Sequence, residues 1–379
     1  MKFLEYIELN PKVALEKGKE YPFIEMSSVS TQYRNPEFID IKEFDSGVKF
    51  QDGDTVVARI TPCLQNGKRF YCKNIGCGFG STEYLVFRSK DTNIVDNLYL
   101  YYFMNTEFIR KSMINSMTGA TGRQRVNNDV FNNIDINFPK IKTQRRIADI
   151  LSAYDDLIEN NQKQIKLLEE AAQRLYKEWF VDLRFPGYEQ TKIIDGVPEG
   201  WHIGCIDEIL VYHDKKRKPL SSLERTLFKG EYRYYGAAGI LDYVNGYLFD
   251  GTYLLLGEDG SVITIEGTPV LQYVTGKFWV NNHAHVLTGK GPFSTEYIYM
   301  MFNNMKISDV VTGVAQPKIS QARLSAKKIL IPCEKVVILY QSKVEYIFKH
   351  ILLLERRIKI AEEARSRLLP KLMSGEIEV

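Results

Sequence analysis

Three groups of basic and amide side chains in this chain have the chemistry needed to bind nucleic acid. In the first group, Arg123, Gln124 and Arg125 follow the glycine-rich segment Thr118–Gly122. Arg and Gln can form bidentate hydrogen bonds with the edges of guanine and adenine, and glycine lets the backbone approach a phosphate closely. This segment is therefore a candidate for contacts with DNA bases.

The second group is a run of four cations, Lys215, Lys216, Arg217 and Lys218, and the third contains Gln316 and Lys318. Cations of this kind bind phosphates, and that contribution to affinity falls as salt rises and carries no sequence information. The third group lies in Thr312–Lys318, which we interpret as the counterpart of the first segment. Solvated charged loops are the alternative interpretation of all three groups.

Motifs of enzymes and metal sites are missing from the sequence. His283 and His285 alternate along a predicted strand and share a face, but no carboxylate has a spacing that completes a metal site, so we predict a structural or polar role. The chain lacks a Walker A motif and the Asn-Pro-Pro-aromatic tetrapeptide of amino-methyltransferases. Gly76–Gly80 is glycine-rich without the strand-to-helix context of a cofactor loop, and we predict a turn. We expect neither a metal nor a cofactor in this chain.

Composition places the chain among soluble globular proteins of more than one domain. It has 379 residues, 44% hydrophobic and 26% charged, with a net charge of +3, which excludes a wholly basic nucleic-acid coat protein. The five cysteines are odd in number and form no CxxC pair, which favours free thiols in a reducing cytoplasm. No segment has the length and hydrophobicity of a signal peptide or a membrane span.

An internal repeat organises the sequence. When the chain is shifted by 193 positions, the ends of its two halves match without a gap: Ile136 with Ile329, Pro139 with Pro332, Lys142 with Lys335, Glu169–Ala171 with Glu362–Ala364, and Arg174–Leu175 with Arg367–Leu368. Identities that keep one offset over a whole segment indicate duplication.

Both matched segments have the heptad pattern of long helices. Alternating steps of three and four residues define two seams, whose apolar members include Ile147, Leu151, Ile158, Ile165, Leu168 and Leu175 in the first segment and Val344, Ile351, Leu354, Ile358 and Leu368 in the second. We predict that the two helices pair with each other as an antiparallel coiled coil, each with about 35 residues and a length of roughly 50 Å. Two unrelated amphipathic helices in a large core are the alternative.

The segments before these helices are rich in short β-branched and aromatic runs interrupted by glycine. Asp54–Ile60 follows Gln51–Gly53, and Tyr253–Leu256 follows Asp250–Thr252, which is typical of strands after turns. A helix is predicted in each half, around Asn97–Met113 and Ser294–Met305. The predicted fold is α+β, with two mixed α/β domains, each followed by a long helix. Because the two domains diverge strongly outside these anchors, we expect them to bind two different ligands.

The whole chain resembles the specificity subunit of Type I restriction–modification systems. Val197–Trp201 is similar to the sequence motif at the start of a recognition domain in this family. Phe138–Pro139 and Ile331–Pro332 are similar to the family's junctions between a domain and its spacer helix. Gln144–Ile147 resembles the usual helix start, whereas Glu334–Val337 departs from it and leaves the start of the second helix open. The resemblance implies target recognition domains at 1–140 and 190–333 and spacer helices at 141–185 and 334–379.

Further expectations come from this resemblance. The chain would have no catalytic activity and would act in the cytoplasm of a prokaryote. It would bind double-stranded DNA, two methyltransferase subunits through the spacer helices, and restriction–translocation subunits, with no membrane contact. Each domain would read one half of a split, non-palindromic site, and the helices would set the gap. A recognition subunit of a Type IIB-like system, a stand-alone DNA methyltransferase or nuclease, and a coiled-coil scaffold without DNA affinity are the alternatives.

Overall fold

The computed structural model describes residues 2–120, 122–313 and 316–379. The chain divides into two compact units. Unit 1 contains residues 1–163 and 354–379, and unit 2 contains residues 164–353. Each unit therefore includes part of both long helices.

The described residues of unit 1 form two four-stranded sheets and three short α-helices. Its first sheet has the strand order β1-β8-β5-β6, and its second sheet has the order β3-β2-β7-β4. The elements are α1 (Phe3–Tyr6), β1 (Ile7–Leu9), β2 (Glu20–Ile24), β3 (Asp40–Glu43), β4 (Val48–Gln51), β5 (Thr55–Ala58), β6 (Arg69–Tyr71), β7 (Cys77–Gly80), β8 (Tyr84–Ser89), α2 (Asn97–Met104), α3 (Glu107–Asn115) and the start of α4 (Ile141–Tyr176).

Both faces of the first sheet of unit 1 are buried. Val57, Leu85 and Phe87 belong to one apolar cluster together with residues of α2 and α3, while Val56 and Val86 belong to a second cluster with residues of β2 and β4. Alternate residues of a strand point to opposite faces, so a continuous apolar run such as Tyr84–Phe87 supplies both clusters.

Unit 2 is built around one six-stranded sheet with the strand order β12-β17-β15-β16-β13-β14. Its elements are β9 (Ile193–Ile194), β10 (Val197–Pro198), β11 (His202–Cys205), β12 (Leu210–Tyr212), α5 (Ser222–Leu227), β13 (Lys229–Tyr235), β14 (Ile240–Val244), β15 (Phe249–Gly257), β16 (Leu271–Val280), β17 (Ala284–Gly289), α6 (Thr295–Asn303), β18 (Val311–Thr312), β19 (Lys318–Ile319), α7 (Gln321–Ala326), β20 (Lys328–Ile331) and the start of α8 (Glu334–Ser374).

The strand order shows that the internal repeat extends through both units. The order β1-β8-β5-β6 in unit 1 matches β12-β17-β15-β16 in unit 2, and the parallel pair of β2 with β7 matches that of β13 with β16. In unit 2 the long strands β15 and β16 run through a single sheet, whereas the equivalent strands of unit 1 are divided between two sheets. At the middle of this pair Gly251 faces Gly276, and both have positive φ, which glycine adopts readily.

Three local predictions were wrong in detail. The helix expected over Asn97–Met113 is two helices, because Asn105 ends α2 and the Thr106 hydroxyl accepts from the Ile109 amide to start α3. The turn expected at Gly76–Gly80 is strand β7, in which a Cβ on Gly80 would lie 2.4 Å from the Ile24 carbonyl oxygen. The turn expected at Asp250–Thr252 lies inside β15.

The two long helices begin directly after the proline junctions. Helix α4 begins at Ile141 and α8 begins at Glu334, which settles the start of the second helix. In α4 the buried Gln144 accepts a hydrogen bond from the Asp96 amide at 3.0 Å and donates to the Pro139 carbonyl at 2.8 Å. The matching position of α8 is the fully buried Val337, so the departure from the family pattern replaces a hydrogen-bonded amide with an apolar contact.

Inside each unit, the two long helices contribute to the same apolar cluster. In unit 1, Ile147 and Leu151 of α4 cluster with Leu372 of α8 and partly buried neighbours. In unit 2, the Tyr340 ring of α8 lies 6.0 Å from the Tyr176 ring of α4. In the described part of the chain, none of the helices has the length and apolar character needed to cross a membrane.

The predicted seam residues are buried to different extents. Buried members are Ile147, Leu151, Ile158, Val344, Ile351 and Leu354, and half-buried members are Ile165, Leu168, Leu175, Ile358 and Leu368. Asn161, which also falls on the seam, is only 2% exposed, and its Nδ2 has no acceptor among the described residues.

Candidate nucleic-acid interface

The first predicted group lies on a short hairpin in unit 1. Thr118 and Arg125 exchange two backbone hydrogen bonds of 2.9 Å, and Thr121 falls outside the described residues. The Val126 amide donates to the Arg59 carbonyl at 2.9 Å, which attaches the hairpin to the end of β5. The hairpin is therefore fixed to the sheet at its base.

The side chains of this hairpin differ in their freedom. Arg123 is exposed and Gln124 is half-buried. The Arg125 Nε donates to Glu83 Oε2 at 2.9 Å, and Arg59 Nε lies 4.0 Å from the same oxygen. The hydrogen bond from Arg125 lowers the pKa of the Glu83 carboxyl below its usual value. Glu83 thus pairs with two arginines, whereas Arg123 of the same hairpin is exposed.

The second predicted group, in unit 2, has three exposed members and one that is tied into the fold. Lys215, Lys216 and Lys218 are exposed, whereas the Arg217 side chain is only 14% exposed. Its Nη1 donates to Glu258 Oε2 at 2.7 Å and to the Ala284 carbonyl at 2.8 Å. Arg217 therefore anchors the segment that carries the three exposed lysines.

The third predicted group lies next to the second because both contact Glu258. Lys318 Nζ is 3.4 Å from Glu258 Oε1, on the carboxylate that also binds Arg217. Gln316 is exposed, while Val314 and Ala315 of the same segment fall outside the described residues. Two clusters about 100 residues apart in sequence thus meet at one carboxylate. Their spacing in the sequence did not predict this meeting.

The two hairpins occupy equivalent places on equivalent backbones. Thr312 pairs with Lys318 as Thr118 pairs with Arg125, which confirms the predicted correspondence of the two segments. The Ile319 amide donates to the Glu258 carbonyl at 2.8 Å, as the Val126 amide does to Arg59.

The equivalent positions carry different side chains in the two units, and one of them changes its sign of charge. The Arg59 amide donates to the Glu83 carbonyl in unit 1, and the Glu258 amide donates to the His283 carbonyl in unit 2, both at 2.9 Å. An arginine beside a glutamate in unit 1 therefore becomes a glutamate beside a histidine in unit 2. The same scaffold presents two different patterns of charge and hydrogen-bonding groups.

The two histidines contact separate carboxylates. His285 is 2% exposed, with its Nδ1 2.6 Å from Asp214 Oδ2 and its Nε2 2.9 Å from the Ile319 carbonyl. His283 Nδ1 lies 2.6 Å from Asp259 Oδ1. Burial favours a raised pKa for Asp214, but the hydrogen bond and charge of His285 outweigh it and lower that pKa.

Carboxylates distant in sequence lie beside the histidines, which the sequence spacing gave no signal to predict. Ligand atoms of Asp214, Glu258 and His285 lie within 4.8 Å of one another. Arg217 and Lys318 already pair with these carboxylates, so two cations lie where a metal ion would add further positive charge. The arrangement is that of a buried ion-pair network that fixes β17 and the hairpin.

Comparison with known proteins identifies the family. Residues 8–170 and residues 198–360 each match the family described as the Type I restriction modification DNA specificity domain. The chain belongs to this family. The two matches have the same length and follow the internal repeat, so each half of this specificity-family chain is one copy of the domain.

Individual relatives support this assignment. The chain is 25% identical over 305 residues to the Type I restriction enzyme MjaIX specificity subunit of Methanocaldococcus jannaschii, an alignment that covers 74% of this chain and 69% of that protein. It is 33% identical over 147 residues to the Type I restriction enzyme EcoAI specificity subunit of Escherichia coli, covering 37% of this chain and 25% of that protein. The crystal structure of the Type-I restriction-modification system S subunit from M. genitalium has the same fold, with a TM-score of 0.56 and 16% identity over 98% of this chain and 95% of that one.

This specificity-family chain also presents an apolar stripe on α8 that the sequence analysis missed. Leu339, Tyr346 and Leu353 follow one another at heptad spacing within unit 2 and are 41%, 74% and 48% exposed. Residues seven apart lie on one face of a helix, so these side chains form a second seam, distinct from the buried one. A second heptad register in the sequence of α8 was the signal that could have revealed it.

Proposed function

We propose that this chain is the DNA-reading subunit of a Type I restriction–modification complex and has no catalytic group of its own. The observation that carries the proposal is the duplicated hairpin scaffold with different side chains in its two copies. A scaffold repeated with the same backbone but a different charge pattern is suited to reading two unlike DNA segments. The bound site would therefore be split and non-palindromic.

The proposed contacts divide into base reading and phosphate binding. In domain 1, residues 1–140, Arg123 and Gln124 would reach base edges, with Arg125 alongside. In domain 2, residues 190–333, Gln316 and Lys318 would take the equivalent place, while Lys215, Lys216 and Lys218 bind phosphates and Arg217 positions their segment. Each wrong base pair in such a site costs about 1–3 kcal/mol of binding free energy.

The spacer helices, 141–185 and 334–379, would act as a ruler between the two half-sites. The apolar clusters that both helices enter within each unit support an antiparallel coiled coil along their length. Two helices of roughly 50 Å suit half-sites about one helical turn of DNA apart, roughly 34–36 Å between centres, once the size of the domains is included.

The partners would be two methyltransferase subunits and, joined to them, restriction–translocation subunits. The exposed stripe of Leu339, Tyr346 and Leu353 supports docking of a partner helix on α8, because an amphipathic helix binds through apolar side chains at such intervals. The methyl donor and the nucleotide would be held by those partners.

A reconstituted methylation assay tests this function. The purified chain alone should transfer no methyl group to DNA, and addition of methyltransferase subunits should give methylation at one split sequence. The variant Arg123→Ala should change the preference in one half of that sequence only, with Lys111→Ala, an exposed cation of the same unit, as control. Methyl transfer by the chain alone would contradict the proposal. An unchanged sequence preference in the Arg123→Ala variant would contradict it as well.

A further inference from the structure

A polar cavity of about 220 Å³ lies within unit 1, and the residues that line it do not belong to the proposed DNA-reading hairpin. Three guanidinium groups, those of Arg69, Arg110 and Arg365, line it together with the side chains of Asn66 and Asn105. A cavity with three cationic side chains and two amides has the donors to bind an anion, since a guanidinium carries five N–H groups and no acceptor.

The positive charge of this cavity is only partly balanced. Arg365 pairs with the buried carboxylate of Asp155. Neither Arg69 nor Arg110 forms an ion pair with another residue in the described ranges. Burial lowers the pKa of Arg69, and the charges of Arg365 and Arg110 lower it further. The cavity therefore carries an excess of about two positive charges that a bound anion would relieve.

Two of the guanidinium nitrogens have no acceptor. The Nε atoms of Arg69 and Arg110 are buried and make no hydrogen bond with any described residue. One terminal nitrogen of each is held by a backbone oxygen, Arg69 Nη1 by Gly67 at 2.8 Å and Arg110 Nη2 by Gln65 at 3.1 Å. A buried N–H without an acceptor is costly, so both arginines are oriented for an acceptor that comes from outside the chain.

Gly67 lies between these two arginines, with a positive φ that glycine adopts readily. A Cβ at this position would lie 3.4 Å from Arg110 Nη2 and 3.6 Å from Arg69 Nη1. One nitrogen of each guanidinium group therefore lies close to Gly67, where the two groups converge. This convergence suits a tetrahedral oxyanion, which accepts hydrogen bonds from several donors at once.

We propose that this cavity binds a phosphate group through Arg69, Arg110 and Arg365. The phosphate is either a free phosphate or part of the DNA backbone, and the chemistry of recognition is the same for both. The inference does not depend on the proposed function, because a phosphate site of this kind can exist in the isolated chain.

Equilibrium dialysis of radiolabelled inorganic phosphate against the unaltered full-length chain tests the site directly. We expect saturable binding of one phosphate per chain, in a chloride buffer of constant ionic strength. Absence of saturable binding to the unaltered chain would overturn the proposal, and this result needs no variant to fold.

Charge-removing variants then locate the site. Arg69→Gln and Arg110→Gln should each weaken phosphate binding by tenfold or more, on the order of a lost charge-assisted hydrogen bond. Lys111→Gln removes the same charge from the neighbouring position of α3, where the side chain is 69% exposed, and should leave binding unchanged. Equal binding by the unaltered chain and both arginine variants would place the phosphate elsewhere and overturn the assignment.

Salt dependence of binding to random duplex DNA distinguishes the two sources. If the phosphate belongs to DNA, Arg69→Gln should reduce the slope of log K against log salt by about 1, and duplex DNA should compete with labelled phosphate. If it is a free phosphate, the slope stays the same and DNA does not compete. Either result, together with the dialysis, supports a phosphate site and names its source.

Discussion

Arg365 of α8 forms an ion pair with Asp155 of α4, and the Tyr102 hydroxyl of α2 donates a hydrogen bond to the same carboxylate. Asp155 is 2% exposed and the Arg365 side chain 14%. Three elements of unit 1 are therefore joined at one buried carboxylate. The Asp155 charge also opposes the effect of burial on Arg365, whose pKa is raised.

Removal of one partner from this pair should destabilise the fold strongly. In Asp155→Asn, Arg365 keeps a buried charge without its counter-ion, so we expect a loss of about 3 kcal/mol in the free energy of unfolding, measured by urea titration. The double variant Asp155→Asn/Arg365→Met should lose less than the sum of the two single variants, because it leaves no unpaired charge.

The exposed pair of Arg174 with Glu170 is the matched control on the same helix. These side chains are 82% and 42% exposed, so Arg174→Met should change the free energy of unfolding by less than about 0.5 kcal/mol. Similar losses for the buried and the exposed pair would show that Asp155 does not join the elements as described.

Charge removal in the second basic group should change the salt dependence of DNA binding. The variant Lys215→Gln/Lys216→Gln should lower the slope of log K against log salt by about 2, since each phosphate contact contributes about 0.9. Fluorescence anisotropy with random duplex DNA measures this. Sequence preference should stay the same, because phosphate contacts carry no base information. A changed sequence preference with an unchanged slope would refute the assignment of these lysines.

The ion pair of Asp214 with His285 should contribute to stability in a defined pH range. The folded-state pKa of Asp214 lies below its ordinary value of 3.8, so its contribution is complete above that value and is lost as pH falls through the lower folded-state pKa. The difference in melting temperature between the unaltered chain and Asp214→Asn should therefore be at its full size above pH 3.8 and should narrow as the pH falls below that value.

The exposed Asp45, whose side chain is 74% exposed, supplies the control for that measurement. Asp45→Asn should follow the unaltered chain over the whole range. If the difference in melting temperature between Asp214→Asn and the unaltered chain stays constant as the pH falls, the Asp214 carboxylate does not stabilise the fold through its charge.

Insertion of one heptad into each spacer helix should lengthen the gap between the half-sites. Seven residues keep the apolar seam in phase and add roughly 10 Å at 1.5 Å per residue, or about three base pairs of DNA. Methylation-site sequencing of the reconstituted complex would measure the gap. Seven residues placed in the exposed loop between Gln190 and Thr191 should leave it unchanged, and an unchanged gap after the helix insertion would reject the ruler.

Local sequence signals predicted the elements that depend on local physics. The proline junctions and the heptad pattern indicated long helices close to where α4 and α8 begin, because helix formation depends on residues three and four apart. The break between α2 and α3 was missed, since apolar residues continue across Asn105 and only the Thr106 cap marks the new start. A helix cap is a local sequence signal, but it is weaker than the periodic spacing of apolar residues.

Contacts that depend on tertiary structure were not predictable from spacing. Arg34 is 1% exposed and pairs with Asp156 at 2.6 Å and Glu159 at 2.8 Å, more than 120 residues away. Glu258 gathers Arg217 and Lys318 in the same way. Sequence analysis singled out the basic groups, but it could not separate the anchoring Arg217 from its exposed neighbours, because all four cations look alike in sequence.

Exchange of residues 1–140 for the first domain of another family member tests the central claim most directly. The hybrid chain, assembled with the methyltransferase subunits, would be assayed by sequencing the methylated sites. We expect one half of the recognised site to change, with the other half and the gap unchanged, because each hairpin scaffold reads its own segment and the helices are untouched. If both halves of the recognised site change in the hybrid, or neither half changes, the account of two separate recognition domains joined by one spacer is wrong.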